Sequence, residues 1–299
     1  MLSAVVPAGV VSRLTAHYGD VVRDWLDRVE DVVRGVAARW AVDFVGYQDA
    51  GWTSVVAVGH RQSGQPVAIK AMPETARYLQ ERAALTHWAG HGVCCLLDAD
   101  DTSQVLLLEL VGDTAGGAPR PADHADRVAD ALPTLHRGIA AAGGPVPLLT
   151  DYYRDSVLPR IDRRADIWGA VVGEHNLRRA LAVGRELSQA ESIGAMLHSD
   201  LYAENVLFDA RAQPVFIDPH AKIGSPAFDW AFWCVYYVPT SGFEERVASC
   251  RAHVPALFDE VLAWTVTLAV DGALYYLEDG DTTATAMQQI LQSPVLVAI

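Results

Sequence analysis

Apolar positions along this chain fall into distinct rhythms. Between residues 13 and 40, His17, Val21, Trp25, Val29, Val32, Val36 and Trp40 recur every three to four positions. That spacing gathers side chains on one side of an α-helix and predicts one or two helices. Toward residue 70 the rhythm shortens. Val55-Val56-Ala57-Val58 and Val67-Ala68-Ile69 are compact, β-branched runs set among turn-forming residues, which predicts strands. Pro73 to Trp88 (PETARYLQERAALTHW) returns to helical spacing, and Val105 to Leu110 (VLLLEL) reads as strand again. Gly112 to Pro121 (GDTAGGAPRP) is the one clear connector of low hydrophobicity and marks a lobe boundary.

From Asp123 onward helices dominate, with one interruption. Val206-Leu207-Phe208 and Val215-Phe216-Ile217 are short apolar runs flanking a polar turn that holds Pro214, the pattern of a hairpin. Ala227 to Val238 is the longest apolar candidate, but it carries Asp229 and is too short to cross a bilayer, so it reads as a buried helix. The expectation is an α+β chain of two lobes: a β-rich one over residues 1–112 and a mostly helical one over 113–299. With 299 residues, 51% of them hydrophobic, there is enough apolar surface for a core in each. No internal repeat is evident.

The candidate chemistry is concentrated between His198 and Asp229 (HSDLYAENVLFDARAQPVFIDPHAKIGSPAFD). Asp200 is followed five residues later by Asn205, and the second arm of the hairpin ends at Asp218. Phosphoryl transfer needs a base beside the attacking hydroxyl and oxygen ligands for Mg²⁺, and this spacing supplies both. His198 and Asp200 taken alone would be ordinary loop residues or a weak metal motif; the whole pattern is far more specific.

A second signal lies upstream. Val67-Ala68-Ile69-Lys70 matches the strand motif that offers a lysine to nucleotide phosphates. Of the 23 basic residues only Lys70 and Lys222 are lysines, and a compact ammonium differs chemically from a planar guanidinium. A kinase lysine needs a carboxylate partner on the following helix. Glu81, about two turns in, is the candidate; Glu74 competes, but a first-turn glutamate is explained by the helix dipole alone. The segment Gly46 to Ser54 (GYQDAGWTS), before the strand at Val55, could turn backbone N–H groups toward phosphate, with Gly51, Thr53 and Ser54 as its small and hydroxyl-bearing members. No G-x-x-x-x-G-K-[ST] or strand-bound G-x-G-x-x-G occurs, which disfavours P-loop and Rossmann sites.

These residues resemble the aminoglycoside phosphotransferase family, of protein-kinase-like fold, and most of all its streptomycin-kinase and hydroxyurea-resistance-kinase branch. The resemblance is carried by Val67–Lys70, Glu81–Leu85, Val105–Leu110, the block His198–Asp229 and the stretch Trp264–Asp279. It implies ATP and Mg²⁺ as cofactors, Asp200 as catalytic base, Asn205 and Asp218 as metal ligands, and a Lys70–Glu81 pair. It also implies a hinge from Glu109 to Gly112, with Glu109 and Val111 at the adenine. Asp229 would brace the catalytic loop at His198. Two departures stand out: Ser199 where the family usually has glycine, and Gly224-Ser225-Pro226 where Gly-Asp-Pro is common. Neither removes a catalytic group; both bear on loop conformation and substrate choice.

Charge narrows the acceptor. The net charge is −14, with nine basic against thirteen acidic residues up to Gly112 and fourteen against twenty-four beyond it. Such a field attracts cations and repels nucleic acid. The expected acceptor is a small, cationic natural product bearing a hydroxyl, held by Asp271, Glu278 or Asp279. Asp271 and Glu278 share a helix face at a spacing of seven, Glu278 and Asp281 at three, a pattern that a solvated helix face also produces. An ordinary metabolite, hydroxyurea, or a silent nucleotide-binding role are the alternatives. Four cysteines without a disulfide framework, and no basic leader before Val5 to Val11, predict reduced thiols and a cytoplasmic location. No membrane, nucleic-acid or obligate protein partner is expected.

Overall fold

The computed structural model describes residues 2–140, 144–189 and 194–297. Among them the chain forms two compact units, one of residues 1–122 with 207–217, the other of 123–206 with 218–299.

The first unit opens with α1 (Ala8–Tyr18) and α2 (Arg23–Arg39), joined by a 3-10 turn. Strands β1 (Val42–Tyr47), β2 (Val55–Arg61) and β3 (Pro66–Ala71) follow, then α3 (Thr75–Trp88), β4 (Leu96–Asp100) and β5 (Val105–Glu109). The five strands form one antiparallel sheet in the order β1-β2-β3-β5-β4. Strand alternation assigns its faces. Val55 and Ala57, Val67, Ile69 and Ala71, and Val105 and Leu107 point into one core with Val29, Val33 and Val36 of α2 and Val10 and Leu14 of α1. Lys70 falls between Ile69 and Ala71 and so projects from the opposite face. Its register partners are Val56 and Leu106.

The second unit contains α4 (His124–Leu135), α5 (Leu149–Tyr152), a π-helical turn, α6 (Leu158–Val172), α7 (Glu174–Leu187) and β6 (Ala195–Leu197). The hairpin β7 (Val206–Phe208) and β8 (Pro214–Phe216) comes next, and its residues 207–217 belong to the first unit. There, Phe216 exchanges backbone hydrogen bonds with Gly92 and Cys94, and Ala118 N–H donates to the Phe208 carbonyl. Pro214, expected in the turn, instead opens β8; the turn is Asp209 to Gln213, closed by the Asp209 N–H on the Gln213 carbonyl. A first strand position suits proline because no ladder donor is required of it there.

After β9 (Lys222–Gly224), paired with β6, come α8 (Ala227–Tyr236), α9 (Phe243–His253), α10 (Phe258–Glu278), α11 (Thr283–Leu291) and α12 (Pro294–Val297). Every residue of α8 is buried. Helix α10 is buried almost all round up to Leu274 and packs against α6, α7, α8 and α11, which its apolar composition on every side requires. At Gly272 the approach is so close that a Cβ would sit 2.7 Å from Tyr236 Oη and 3.1 Å from Met287 Sδ. Asp281 lies beyond the end of α10 and accepts from the Thr283 N–H, so it does not share the helix face of Glu278. The four cysteines are free. No helix among the described residues is long and apolar enough to cross a membrane.

Candidate active site

The functional side chains divide between the units. In the first, Lys70 Nζ meets both carboxylate oxygens of Glu81, at 2.8 and 2.7 Å. Glu74 stands at the N-cap of α3. Both charges of the pair are buried, where a charge is tolerated only when it is paired and hydrogen-bonded. Cys94 lies close by, and burial, followed by the negative charge of Glu81, pushes its thiol far above the ordinary range. It therefore stays protonated.

The Glu109 carboxylate accepts from the Cys95 N–H at 3.1 Å, while the Glu109 N–H donates to the Cys95 carbonyl. Its side chain is thus turned to β4's entry. Gly112 sits at φ 66°, where a Cβ would lie 2.6 Å from the Ala118 nitrogen; only glycine lets the connector fold back on itself here. In the loop between β1 and β2, Gly51 has φ 87° and Ser54 is buried. The Thr53 carbonyl accepts from Tyr18 Oη at 3.3 Å.

In the second unit, Asp229 in the first turn of α8 is fully buried. Its Oδ1 accepts from the Ser199 N–H and its Oδ2 from the His198 N–H, each at 2.8 Å. A third donor, His136 Nε2, reaches Oδ2 at 2.9 Å. The carboxylate therefore holds the two residues just before Asp200. Ser199 takes φ 59°, the left-handed region that a glycine would adopt without cost. Across the loop, Asn205 Nδ2 donates to the Asp200 carbonyl at 2.8 Å and to Asp200 Oδ2 at 2.9 Å. Asp218 is half-buried, with φ 55°. Four residues on, Lys222 is buried, donates to the His220 and Ala221 carbonyls, and lies 4.5 Å from the Tyr152 ring centroid.

Asp271 and Glu278, expected at the acceptor, are both engaged by arginines of α6. Arg160 makes a two-pronged contact with Asp271, through Nε to Oδ1 at 3.0 Å and Nη2 to Oδ2. Arg164 bridges to Asp271 at 3.4 Å and to Glu278 at 2.7 Å. Arg163 adds a bond to Glu278 at 2.8 Å. Hydrogen bonds from Arg163 and then Arg164 pull the Glu278 carboxyl down to about 2. The shared helix face of Asp271 and Glu278 is real, but what it meets is a neighbouring helix. Asp279 is exposed at the end of α10.

An antiparallel five-stranded sheet bearing a buried lysine–glutamate pair, followed by a helical unit with a braced His-x-Asp loop, defines a small-molecule kinase of protein-kinase-like fold. Residues 39–251 match the family described as aminoglycoside/hydroxyurea antibiotic resistance kinase, and the chain belongs to that family. Streptomycin 6-kinase of Streptomyces griseus is 28% identical over 97% of this chain and 96% of its own length. Hydroxyurea phosphotransferase of Kitasatospora aureofaciens is 26% identical over 92% and 81%. Among solved structures, a choline/ethanolamine kinase family protein from Mesorhizobium loti superposes with a TM-score of 0.62 at 15% identity, over 90% of this chain and 96% of its own. A macrolide 2'-phosphotransferase from Brachybacterium faecium gives 0.56 at 18%, over 90% and 99%.

Proposed function

We propose that the protein transfers the γ-phosphoryl group of ATP to a hydroxyl of a small, antibiotic-like molecule, with Asp200 as the base. The observation that carries this reading is the Asp200–Asn205 pairing in a loop whose backbone is held by Asp229. Asp200 would orient the acceptor hydroxyl and take its proton as its oxygen bonds to the γ-phosphorus and the bond from that phosphorus to the bridging oxygen breaks, releasing ADP. Lys70, fixed by Glu81, would neutralise phosphate oxygens, and the backbone of 110–111 would meet the adenine. The donor set suits Mg²⁺: with its amide nitrogen spent on Asp200, Asn205 has its oxygen left to coordinate, and Asp218 adds a carboxylate, both hard ligands. When bound there, Mg²⁺ offsets the phosphate charge.

The resemblance to a streptomycin 6-kinase favours an aminoglycoside-type acceptor, and the acidic balance of the chain favours a cationic one. Asp271 and Glu278 support the latter only through the general field, since arginines already occupy them. The test is ADP release with streptomycin, hydroxyurea and neutral polyols of matched size, using wild type and Asp200→Asn. Acceptor-dependent ADP that falls at least ~10²-fold in the variant is expected, the usual worth of a general base. Absence of acceptor-dependent ADP across the panel, or full activity in Asp200→Asn, overturns the reading. A preference for neutral acceptors would remove the cationic preference alone.

A further inference from the structure

We infer that helix α1 is a clamp on the loop that covers the nucleotide phosphates, with Arg13 as the residue that sets affinity for ATP. This rests on the kinase reading above, together with the expectation that the segment Gly46 to Ser54 turns backbone N–H groups toward the nucleotide phosphates. Arg13 grips that loop at three points: Nε donates to the Gly51 carbonyl at 2.9 Å, Nη2 meets Asp49 Oδ1 at 2.8 Å, and the guanidinium lies 5.9 Å from the Trp52 ring centroid. Tyr18, at the other end of the helix, donates to the Thr53 carbonyl. Gly9, one turn before Arg13, lets the helix come close: a Cβ there would sit 2.6 Å from Asp49 Oδ1. The helix itself is anchored, because Val10 and Leu14 on its other side are fully buried in the sheet core.

Peptide planarity gives this grip a chemical consequence. In a trans peptide the N–H points opposite to the C=O of the same unit. With the Gly51 and Thr53 carbonyls drawn to α1, the N–H groups of Trp52 and Ser54 are aimed away from it. A loop whose donors are oriented before the ligand arrives pays less ordering entropy on binding phosphate. Trp52 is otherwise well exposed, at 69%, and the loop holds no regular structure of its own. The family's matched region begins at residue 39, so the helix that supplies the clamp lies outside it.

The experiment compares wild type, Arg13→Ala and Arg13→Lys by two readouts. Amide hydrogen exchange over residues 48–54 in the nucleotide-free protein reports the grip, and separate KM values for ATP and for the acceptor report its use. In Arg13→Ala, exchange in the loop should accelerate and KM for ATP rise about tenfold, the equivalent of one to two lost hydrogen bonds. KM for the acceptor should stay within about twofold, because the contacts of Arg13 are made to the nucleotide loop. Lysine can satisfy one of the two acceptors but not both as a fork, so Arg13→Lys should fall between. Unchanged exchange, or faster exchange with unchanged KM for ATP, overturns the clamp while wild-type turnover stands. If wild type turns over no ATP with any acceptor, the kinase reading falls and the clamp's role falls with it.

Discussion

Replacing Asp229 with asparagine keeps the shape of the side chain and inverts one of its two polar atoms. Among the described residues, Oδ2 serves two donors, His198 N–H and His136 Nε2, whereas Oδ1 serves Ser199 N–H. The less costly asparagine orientation therefore keeps its oxygen on the first pair and turns its NH₂ against the Ser199 N–H. A buried N–H is orphaned, at a cost of about 1–3 kcal/mol. The two surviving bonds lose the charge that strengthened them, about 0.5–1.5 kcal/mol each. The total is about 2–6 kcal/mol, and it falls on the residue beside Asp200. Displacement of a reacting group by about 1 Å can cost on the order of 10²-fold in rate. Urea unfolding of the second unit should lose stability by that amount, and kcat should fall about 10²-fold, with KM for ATP nearly unchanged because Lys70 and Glu81 lie elsewhere. If Asp229→Asn kept kcat within threefold and unfolded at the wild-type urea concentration, the bracing role would be wrong.

Three further outcomes can be checked on stability alone. Ser199→Gly should raise the unfolding free energy by about 1 kcal/mol, since it relieves a left-handed φ and a buried hydroxyl that has no hydrogen-bond partner among the described residues, offset in part by glycine's entropy in the unfolded chain; a lowered denaturation midpoint would refute this. Gly272→Ala should destabilise by about 1–3 kcal/mol, because its Cβ would press on Tyr236 Oη and Met287 Sδ, although alanine is the better helix former; a rise in melting temperature would show that α8 and α11 can withdraw. Glu278→Gln should destabilise at neutral pH and progressively less as the pH drops. The folded-state carboxyl is depressed to about 2 by the arginines, so its contribution is present above the ordinary carboxylate pKa and lost on descending toward 2. A gap between wild type and variant that widened on acidification would contradict the pairing with Arg163 and Arg164.

Much of this architecture was legible because its determinants are local. The order of strands and helices followed from apolar spacing, and Lys70 and Glu81 are only eleven residues apart, within reach of one strand–turn–helix unit. The Asp200–Asn205 contact closes within a single loop. What was not legible depends on which helices pack together. Nothing near His136 announces a partner 93 residues away. The face shared by Asp271 and Glu278 follows from their spacing, but whether it meets solvent, substrate or Arg160, Arg163 and Arg164 is decided by the packing of α6 on α10. The carboxylates were visible; their counter-charges, more than a hundred residues upstream, were not. Likewise the apolar stripe of residues 13–40 announced helices without showing that α1 would turn its polar side to the β1–β2 loop.

Both lysines of this protein are shielded from solvent, Lys70 at 4% exposure against Glu81 and Lys222 at 1% against Tyr152. Every other basic side chain apart from histidine is an arginine. The folded surface is thus almost devoid of nucleophilic amines, the α-amino group aside. Acylating reagents that decorate most proteins within minutes would find their side-chain targets only when the surroundings of a buried lysine open. Covalent labelling of Lys70 then becomes a clock for the opening of one particular ion pair.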